Sequence, residues 1–270
     1  MTKASIYLQG GLGNQLFQIA FIYSYGRKNN IQIGYHKGEY VNPHSSIDYG
    51  KSVFPSINRL NVANLFHEPA DKCISYIDNI PMNLKDCMFI GYFQCEKYFK
   101  EYKQDIYTLF HFPSIPISIN EKSIFLHVRR GDYVNNPIIK KVHHLDLDSY
   151  YIKAISFIQS IKNIESIYII SNDILYCKKN DFFKNLPNVF FVENLNELET
   201  MSLMTKCSLG GICSNSSFSW WGSYLNRSPD KTIIFPSVWF NDKVHQNYPN
   251  DIYFEGSYVM DIHNFQIRKV

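Results

Sequence analysis

The feature that most constrains the fold is the alternation of short apolar runs and helical patterns through the second half of the chain. Strands are predicted at 123–128, 166–171, 189–192, 209–213 and 232–235. Helices are predicted at 147–161, 175–184, 195–207 and 217–225. This order is typical of a parallel sheet with helices on both faces, which is an α/β fold. Ligands of such sheets bind beyond the carboxyl ends of the strands, so the residues after each strand are the candidates for chemistry.

The first half begins with a β-turn-α-β unit. It consists of a strand at 4–8, a glycine turn at 10–13, a helix at 14–28 and a strand at 31–35. The region 36–83 is interrupted by prolines and carries no readable motif. The segment 111–121 holds two prolines and several polar residues, and we predict that it links two domains, 1–115 and 120–270.

Composition excludes several classes of protein. A net charge of +3 spread over 270 residues is too small to indicate a nucleic-acid partner. The six cysteines form no C-x-x-C pair, so neither a zinc site nor a disulfide framework is predicted. The sequence has no apolar run of membrane-spanning length and no secretory signal pattern at its start. We therefore expect a cytoplasmic protein without stable membrane insertion, whose oligomeric state the sequence leaves open.

Charged side chains cluster at the end of the strand 123–128. Alternation along the strand places His127 and Arg129 on one face, and Gly131 permits a sharp turn next to Arg130 and Asp132. The planar guanidinium group of arginine suits phosphate oxygens, to which it can donate two parallel hydrogen bonds. The cluster predicts a diphosphate clamp; the alternative is a weakly stabilising arginine–aspartate pair at the surface.

A hydroxyl-rich segment follows the strand 209–213. Its polar residues precede or begin a helix and are Ser214, Asn215, Ser216 and Ser217, followed by Phe218. Hydroxyls and free N–H groups at a helix start can bind an anion, although they also serve as an ordinary helix cap. Because this segment and the arginines are predicted at the same sheet edge, together they predict a two-sided phosphate cradle.

The glycine turn of the first half differs from a dinucleotide fingerprint. Gly11 and Gly13 are present, but Leu16 stands where the third glycine belongs, and no acidic residue follows the second strand. Nicotinamide and flavin binding are therefore disfavoured. We expect the turn, with Asn14 and Gln15, to present amide groups to a substrate in an interdomain cleft.

The pair Asp146 and Asp148 has the D-x-D spacing of metal-dependent sugar-nucleotide enzymes. It lies directly before a predicted helix, which favours a helix-capping role over metal binding. No metal site is predicted.

Several segments together resemble glycosyltransferase family 11, the α-1,2-fucosyltransferases. The matching segments occur in the family's order over nearly the whole chain, at 10–18, 91–94, 98–99, 127–133 and 214–221. The resemblance implies a GT-B fold, in which two Rossmann-like domains face each other across a cleft. It also implies inverting transfer of L-fucose from GDP-β-L-fucose to the 2-hydroxyl of a β-galactoside, with the acceptor on the N-terminal domain and no cofactor or metal.

The resemblance also suggests roles for single residues. Arg129 matches the arginine that holds the β-phosphate, with Arg130 beside it and His127 near the nucleoside. The segment 216–218 matches the one that grips the pyrophosphate from the other side. The mechanism, rather than the resemblance, makes Asp132 a candidate general base, or alternatively a tether for the clamp or for the turn after the strand. The Ser-Asp-Asp that often ends a later strand of the family is replaced here by Ser171-Asn172-Asp173. If the second acid of the family's motif binds guanine, Asp173 retains that contact. If the first acid binds guanine, its replacement by Asn172 weakens the assignment of the base.

Other functions remain open at this point. The chain could be a GT-B enzyme that makes another linkage or uses another sugar nucleotide. It could also be a non-catalytic nucleotide- or glycan-binding protein, or a metal-dependent transferase that uses the D-x-D pair. The acceptor glycan is not fixed by the sequence, and a lipid-linked acceptor would bring the enzyme to a membrane.

Overall fold

The computed structural model describes residues 2–38, 45–81 and 86–270, so parts of the motif-free region 36–83 lie outside the described residues. The chain divides into two compact units. The first consists of Met1–Phe112 with Tyr248–Phe254, and the second of Pro113–Asn247 with Glu255–Val270. Each unit is α/β and contains a sheet that is wholly or mostly parallel, which confirms the predicted fold class. Among the described residues, no helix has both the length and the hydropathy needed to cross a bilayer.

The described part of the first unit contains one four-stranded sheet, with the strand order β2-β1-β4-β3 and every pair parallel. Its strands are β1 (Lys3–Tyr7), β2 (Gln32–His36), β3 (Asn64–His67) and β4 (Cys87–Ile90). Its helices are α1 (Leu12–Asn29), α2 (Tyr49–Ser52) and α3 (Lys103–Leu109). Single 3₁₀ turns occur at Ala70–Lys72, Glu96–Tyr98 and Lys100–Tyr102.

Helix α1 packs against this sheet through a buried apolar face. Leu16, Phe17 and Phe21 are almost fully excluded from solvent. The helix ends at Asn30, whose left-handed backbone (φ 53°) is a common way to finish a helix. The helix therefore fixes the glycine turn at its start relative to the carboxyl end of β1.

The second unit is built on a seven-stranded sheet with the strand order β11-β10-β9-β8-β5-β6-β7. Its strands are β5 (Ser123–Val128), β6 (Ser166–Ser171), β7 (Val189–Phe191), β8 (Gly210–Ile212), β9 (Thr232–Pro236), β10 (Tyr258–Met260) and β11 (Ile267–Lys269). Its helices are α4 (Gly131–Asn135), α5 (Pro137–His143), α6 (Asp148–Ile161), α7 (Ile174–Lys179), α8 (Asp181–Asn185), α9 (Glu197–Lys206), α10 (Ser217–Tyr224) and α11 (Lys243–Gln246). The strand pairs are parallel except for β10 with β11.

The strand order of the second unit reverses between β5 and β8. The chain starts at β5, adds β6 and β7 on one side, and then returns to place β8, β9 and β10 on the other side. This is the doubly wound Rossmann order, in which ligands bind at the carboxyl ends of the two strands that flank the reversal. Phe125 pairs with Gly211 and Leu126 with Ile212, so the residues after β5 and after β8 are brought together.

Strand β5 is buried along its whole length and contributes to both faces of the sheet. Ile124, Leu126 and Val128 join an apolar core with α6, β6 and the helices that follow it. The alternate residues Phe125 and His127 face the other side. A Cβ atom on Gly211 would overlap the ring of Phe125, so the glycine permits close approach of β8.

Two predicted elements differ in the structure. The single helix predicted at 175–184 is two short helices, because Asn180 adopts an extended backbone and caps α8 with its side chain. The strand predicted at 232–235 is not the last, since β10 and β11 follow it. These two strands have three residues each, too short for a clear apolar pattern.

The predicted C-terminal domain, 120–270, also differs from the second unit in one segment. Residues 248–254 belong to the first unit. Asp251 accepts a hydrogen bond from the Tyr76 N–H at 3.0 Å and forms an ion pair with Lys97 at 2.7 Å. The chain therefore returns to the first unit before it completes the sheet of the second.

Candidate active site

Most of the polar residues predicted to bind substrate or take part in catalysis lie at the carboxyl ends of β5 and β8. His127 is the penultimate residue of β5, Arg129 and Arg130 directly follow that strand, and Ser214 follows β8. Ser214 Oγ lies 2.9 Å from His127 Nδ1, and this buried contact joins the two strand ends. The structure thus brings the arginine cluster and the hydroxyl-rich segment together at the point where the strand order reverses.

Arg129 is held in place by its neighbours while one of its donors is unused. Its Nη2 donates to Asp132 Oδ1 at 2.5 Å, and its guanidinium group lies 5.1 Å from the centre of the Tyr133 ring. Its Nε is buried and has no hydrogen-bond partner among the described residues. A buried, unpaired donor on a cation is costly. An anionic oxygen at this edge would satisfy it.

Arg130 is directed toward β6 instead. Its backbone N–H donates to Asn172 Oδ1 at 2.9 Å, and its Nε donates to Asp173 Oδ2 at 3.2 Å. Its guanidinium carbon lies 3.4 Å from the centre of the Tyr176 ring. The other oxygen of Asp173 caps α7. Asn172 and Asp173, the two residues considered for guanine recognition, therefore both bind Arg130. The sequence analysis did not predict these contacts.

The residues of the hydroxyl-rich segment have two structural roles: one caps a helix and another anchors the segment to neighbouring backbone. Ser216 caps α10 by accepting the Phe218 N–H, and Ser217 is the half-buried first residue of that helix. Asn215 is buried, and its Nδ2 donates to the carbonyls of His143 at 2.8 Å and Trp239 at 2.9 Å. The amide that we expected to bind substrate therefore anchors the segment.

His127 is neutral in this environment. Burial, together with the positive charge of Arg129, lowers the pKa of His127 to about 3. The ring contacts Ser214 Oγ and lies 5.7 Å from the Phe218 ring. The imidazole can accept or donate a hydrogen bond but carries no charge near pH 7, so it adds no second cation to the clamp.

We expect His127 to make folding stability depend on pH. The pKa of the histidine is about 3 in the folded chain and about 6.5 in the unfolded one. The unfolded chain therefore binds more protons between these values, and stability falls as the pH drops below 6.5. Between pH 7 and pH 5, His127 accounts for a loss of about 2 kcal/mol. The free energy of unfolding is measured with urea at both pH values. Its fall from pH 7 to pH 5 should be about 2 kcal/mol smaller in His127→Gln than in the unsubstituted protein. An equal dependence in both would contradict the assignment.

The glycine turn of the first unit is held by its own side chains. Gly10 has a left-handed backbone (φ 76°), and a Cβ atom there would overlap the side chain of Asn14. Gln15 Nε2 donates to the Gly10 carbonyl at 2.9 Å, and Asn14 Oδ1 accepts from Gln94 Nε2 at 2.8 Å. Gly11 precedes α1, and Gly13 is buried in its first turn. The four residues predicted to bind substrate therefore all lie at the carboxyl end of β1, in the first unit: Gly11, Gly13, Asn14 and Gln15.

The D-x-D pair borders a cavity of about 260 Å³ in the second unit, which is also lined by Arg129, Arg130 and Tyr176. Asp146 Oδ1 accepts the Asp148 N–H at 3.4 Å, but the residue at the cap position of α6 is Leu147, so the predicted side-chain cap is wrong in detail. Asp148 Oδ2 accepts from Tyr176 Oη at 2.7 Å and from Asn180 at 3.1 Å. Across 2–38, 45–81 and 86–270, no three histidine, cysteine or acidic side chains are grouped as metal ligands.

Comparison with known proteins identifies the family. The model of glycosyl transferase family 11 matches residues 90–258, which include the arginine cluster and the hydroxyl-rich segment. The chain belongs to glycosyl transferase family 11. It is 32% identical over 274 residues to an alpha-1,2-colitosyltransferase of Escherichia coli, covering 86% of this chain and 91% of that protein.

Further relatives of this family 11 glycosyltransferase are more distant or similar in structure alone. It is 29% identical over 291 residues to the O-antigen biosynthesis glycosyltransferase WbnK of Escherichia coli, covering 86% of this chain and 93% of that one. A mutant of Arabidopsis thaliana FUT1 in complex with GDP has a TM-score of 0.49 and 11% identity, covering 87% of this chain and 70% of that one. The fucosyltransferase NodZ from Bradyrhizobium has a TM-score of 0.46 and 12% identity, covering 82% and 91%.

Sequence reasoning missed several residues that shape the edges of the two sheets in this glycosyltransferase. In the second unit, Tyr133 stacks on His143 with ring centres 4.9 Å apart. In the first unit, Glu68 and Gln18 bind the backbone of the turn that follows β4. Gln18 lies in the matched segment 10–18 and could have been noticed there. Glu68 follows a short strand in the region without a motif, where no pattern marked it.

Proposed function

We propose that this family 11 glycosyltransferase transfers L-fucose from GDP-β-L-fucose to the 2-hydroxyl of a β-galactoside, with inversion and without a metal. The sugar nucleotide binds at the carboxyl ends of β5 and β8, and the first unit contributes the acceptor side. The observation that carries this proposal is Arg129, whose guanidinium group is fixed by Asp132 and retains a buried, unpaired Nε. The α-1,2 linkage is supported by the name of the relative that is 32% identical.

The site offers the electrostatics that departure of a nucleoside diphosphate requires. As the bond from the sugar to GDP breaks, negative charge grows on the β-phosphate while the sugar gains oxocarbenium character. Arg129 supplies positive charge, and the start of α10, capped by Ser216, supplies backbone N–H groups and the Ser217 hydroxyl. These groups are already in place before the reaction, so no reorganisation is needed when the charge develops.

In this proposal Asp132 orients the clamp. Its Oδ1 accepts from Arg129 Nη2 at 2.5 Å, so that oxygen is already engaged. The oxygen that accepts from the guanidinium group cannot at the same time take a proton from the acceptor hydroxyl. We therefore assign Asp132 to the positioning of Arg129.

A second donor is favoured by a specific observation. The relative at 32% identity is named for colitose, which is L-fucose without the 3-hydroxyl. Transfer of colitose through the same α-1,2 chemistry would need the same diphosphate clamp, and only the contacts to the sugar ring would differ. GDP-colitose is therefore the second candidate donor.

The proposal is tested by supplying a panel of donors with galactoside acceptors. The purified protein is incubated with GDP-fucose, GDP-colitose, GDP-mannose or UDP-galactose and with lactose, and the product linkage is determined by NMR. We expect an α-1,2-linked product from GDP-fucose. A product from GDP-colitose alone would select the second candidate. Binding of GDP without turnover of any donor would instead indicate a non-catalytic nucleotide-binding protein.

We expect transfer to persist in excess EDTA. The clamp uses fixed cationic and N–H groups, and Asp148 of the D-x-D pair is already engaged by Tyr176 and Asn180. The rate of transfer should be the same before and after chelation and dialysis. A complete loss that Mg²⁺ or Mn²⁺ restores would contradict this and would return Asp146 and Asp148 to the role of metal ligands.

A further inference from the structure

A carboxylate that no motif marked holds the backbone at one edge of the first unit. Glu68 directly follows β3 and is half-buried beside the carboxyl end of β4. Its Oε2 accepts the Tyr92 N–H at 2.6 Å, and its Oε1 accepts the Phe93 N–H at 2.8 Å. Both oxygens of one side chain thus bind consecutive backbone donors of the turn at 91–94.

The turn at 91–94 needs such support because its backbone is unusual. Phe93 is a non-glycine residue with a left-handed backbone (φ 50°), a conformation that L residues rarely adopt without help from their surroundings. Its ring is fully buried and stacks on Phe21, with centres 3.9 Å apart. At Gly91, a Cβ atom would overlap the side chain of Glu68. The absence of a side chain at Gly91 is therefore what lets the carboxylate reach the turn.

Side chains also join this turn to the glycine turn that follows the neighbouring strand β1. Gln18 Nε2 donates to the Gly91 carbonyl at 2.8 Å, and Gln18 Oε1 accepts the Gln9 N–H at 3.1 Å. Gln94 Nε2 donates to Asn14 Oδ1 at 2.8 Å. Side-chain hydrogen bonds therefore join the two turns into one polar network at the carboxyl edge of the sheet, in which Gln18 and Gln94 are buried. The position of Gln94 in this network depends on the conformation of 91–94.

We propose that Glu68 is a positioning residue for the acceptor sugar, because it holds the 91–94 turn in the conformation that places Gln94 beside Asn14. Amide groups of this kind donate to and accept from the hydroxyls of a sugar. The inference rests on the proposed function, which assigns the acceptor to the first unit.

Ionisation of Glu68 controls this contact. Both oxygens accept N–H groups most strongly while the carboxylate is charged, and burial raises the pKa of Glu68 to about 7. Two titratable groups of the described residues interact electrostatically with it, the Cys73 thiol and the Tyr98 phenol. Burial raises the pKa of Cys73 to about 11 and raises that of Tyr98 as well, so both stay neutral from pH 5.5 to 8.5. Protonation of Glu68 below pH 7 turns one carboxylate oxygen into a hydroxyl donor, which weakens its hydrogen bonds to the backbone of the turn.

The experiment compares Glu68→Gln and Gly91→Ala with the control Glu101→Gln, which removes an exposed carboxylate of the same unit. The KM values for acceptor and donor are measured from pH 5.5 to 8.5, and hydrogen exchange is followed at the Tyr92 and Phe93 amides. In the unsubstituted protein, we expect the acceptor KM to rise as the pH falls through 7. Glu68→Gln should raise the acceptor KM about tenfold at pH 8, remove its pH dependence and speed exchange at both amides. Gly91→Ala should reproduce the rise in KM and the faster exchange, and neither variant should change the donor KM.

Several results would overturn the inference. Unchanged exchange and unchanged acceptor KM in Glu68→Gln would show that the contact does not hold the turn. Faster exchange with an unchanged acceptor KM would show that the turn does not position the acceptor. A fall in kcat alone would move Glu68 to the chemical step. A protein that transfers sugar from neither GDP-fucose nor GDP-colitose would contradict the proposed function itself and, with it, the acceptor assignment, whereas amide exchange would still report on the Glu68 contact.

Discussion

Replacement of Arg129 by alanine should lower kcat for transfer from GDP-fucose by about 10²–10³-fold, the usual effect of losing one preorganised contact to developing charge. The side chain is pinned by Asp132 and keeps a buried donor free for an anionic oxygen. Lysine at this position should not restore activity, because an ammonium group lacks the planar fork that binds two oxygens at once. Initial rates at saturating donor and acceptor measure the effect. Retention of more than about a tenth of the activity would contradict the clamp.

Two controls sharpen this test. Arg268→Ala removes an exposed arginine of the same unit and should leave the rate unchanged. A double-mutant cycle with Asp132→Ala then separates the two possible roles of the aspartate. If Asp132 only orients Arg129, the double variant should be no slower than Arg129→Ala alone, because the two residues act as a unit. A further loss in the double variant would indicate that Asp132 acts on the substrate directly.

Replacement of Asn215 by alanine should lower the free energy of unfolding by about 2–4 kcal/mol, because one buried and one partly buried carbonyl lose their donor. Those carbonyls belong to His143 and Trp239, and both receive their hydrogen bonds from Asn215 Nδ2. Urea denaturation followed by tryptophan fluorescence measures the loss. The pocket edge should be disturbed as well, since Tyr133 Oη donates to the Asn215 carbonyl at 3.4 Å.

The matched control is Asn163→Ala, which removes an exposed asparagine of the same unit and should change stability by no more than about 0.5 kcal/mol. The comparison also separates anchoring from substrate binding. If Asn215 binds the donor directly, alanine should raise the donor KM and leave the unfolding curve in place. That result would contradict the anchoring assignment.

The fold of the second unit could be predicted from the sequence because each buried strand is an apolar run between helical patterns. The strand ends follow from the same pattern, so the placement of Arg129 and Ser216 at the same sheet edge was predictable as well. The apolar pattern does not determine the register of the strands or their order in the sheet. That β8 lies beside β5 is fixed by close packing of Gly211 on Phe125, a contact between residues far apart in the sequence.

The residues that were missed or given another role are those whose partners are distant in the chain. Asp173 was considered only as a base reader, because nothing in the sequence shows that the turn after β5 brings Arg130 to it. Asn215 was expected to bind substrate, since a polar residue beside serines at a helix start has the same pattern whether it faces a ligand or the protein. Glu68 was missed because its two donors lie more than twenty residues away, in a turn whose left-handed Phe93 no composition rule predicts.

The return of residues 248–254 to the first unit bears on the design of chimeric enzymes. An exchange of acceptor specificity between relatives would naturally join two sequences near residue 112. Such a hybrid would pair a foreign N-terminal half with the original Asp251, which here binds the Tyr76 N–H and Lys97. A successful graft must therefore be discontinuous and transplant this heptapeptide together with the N-terminal half.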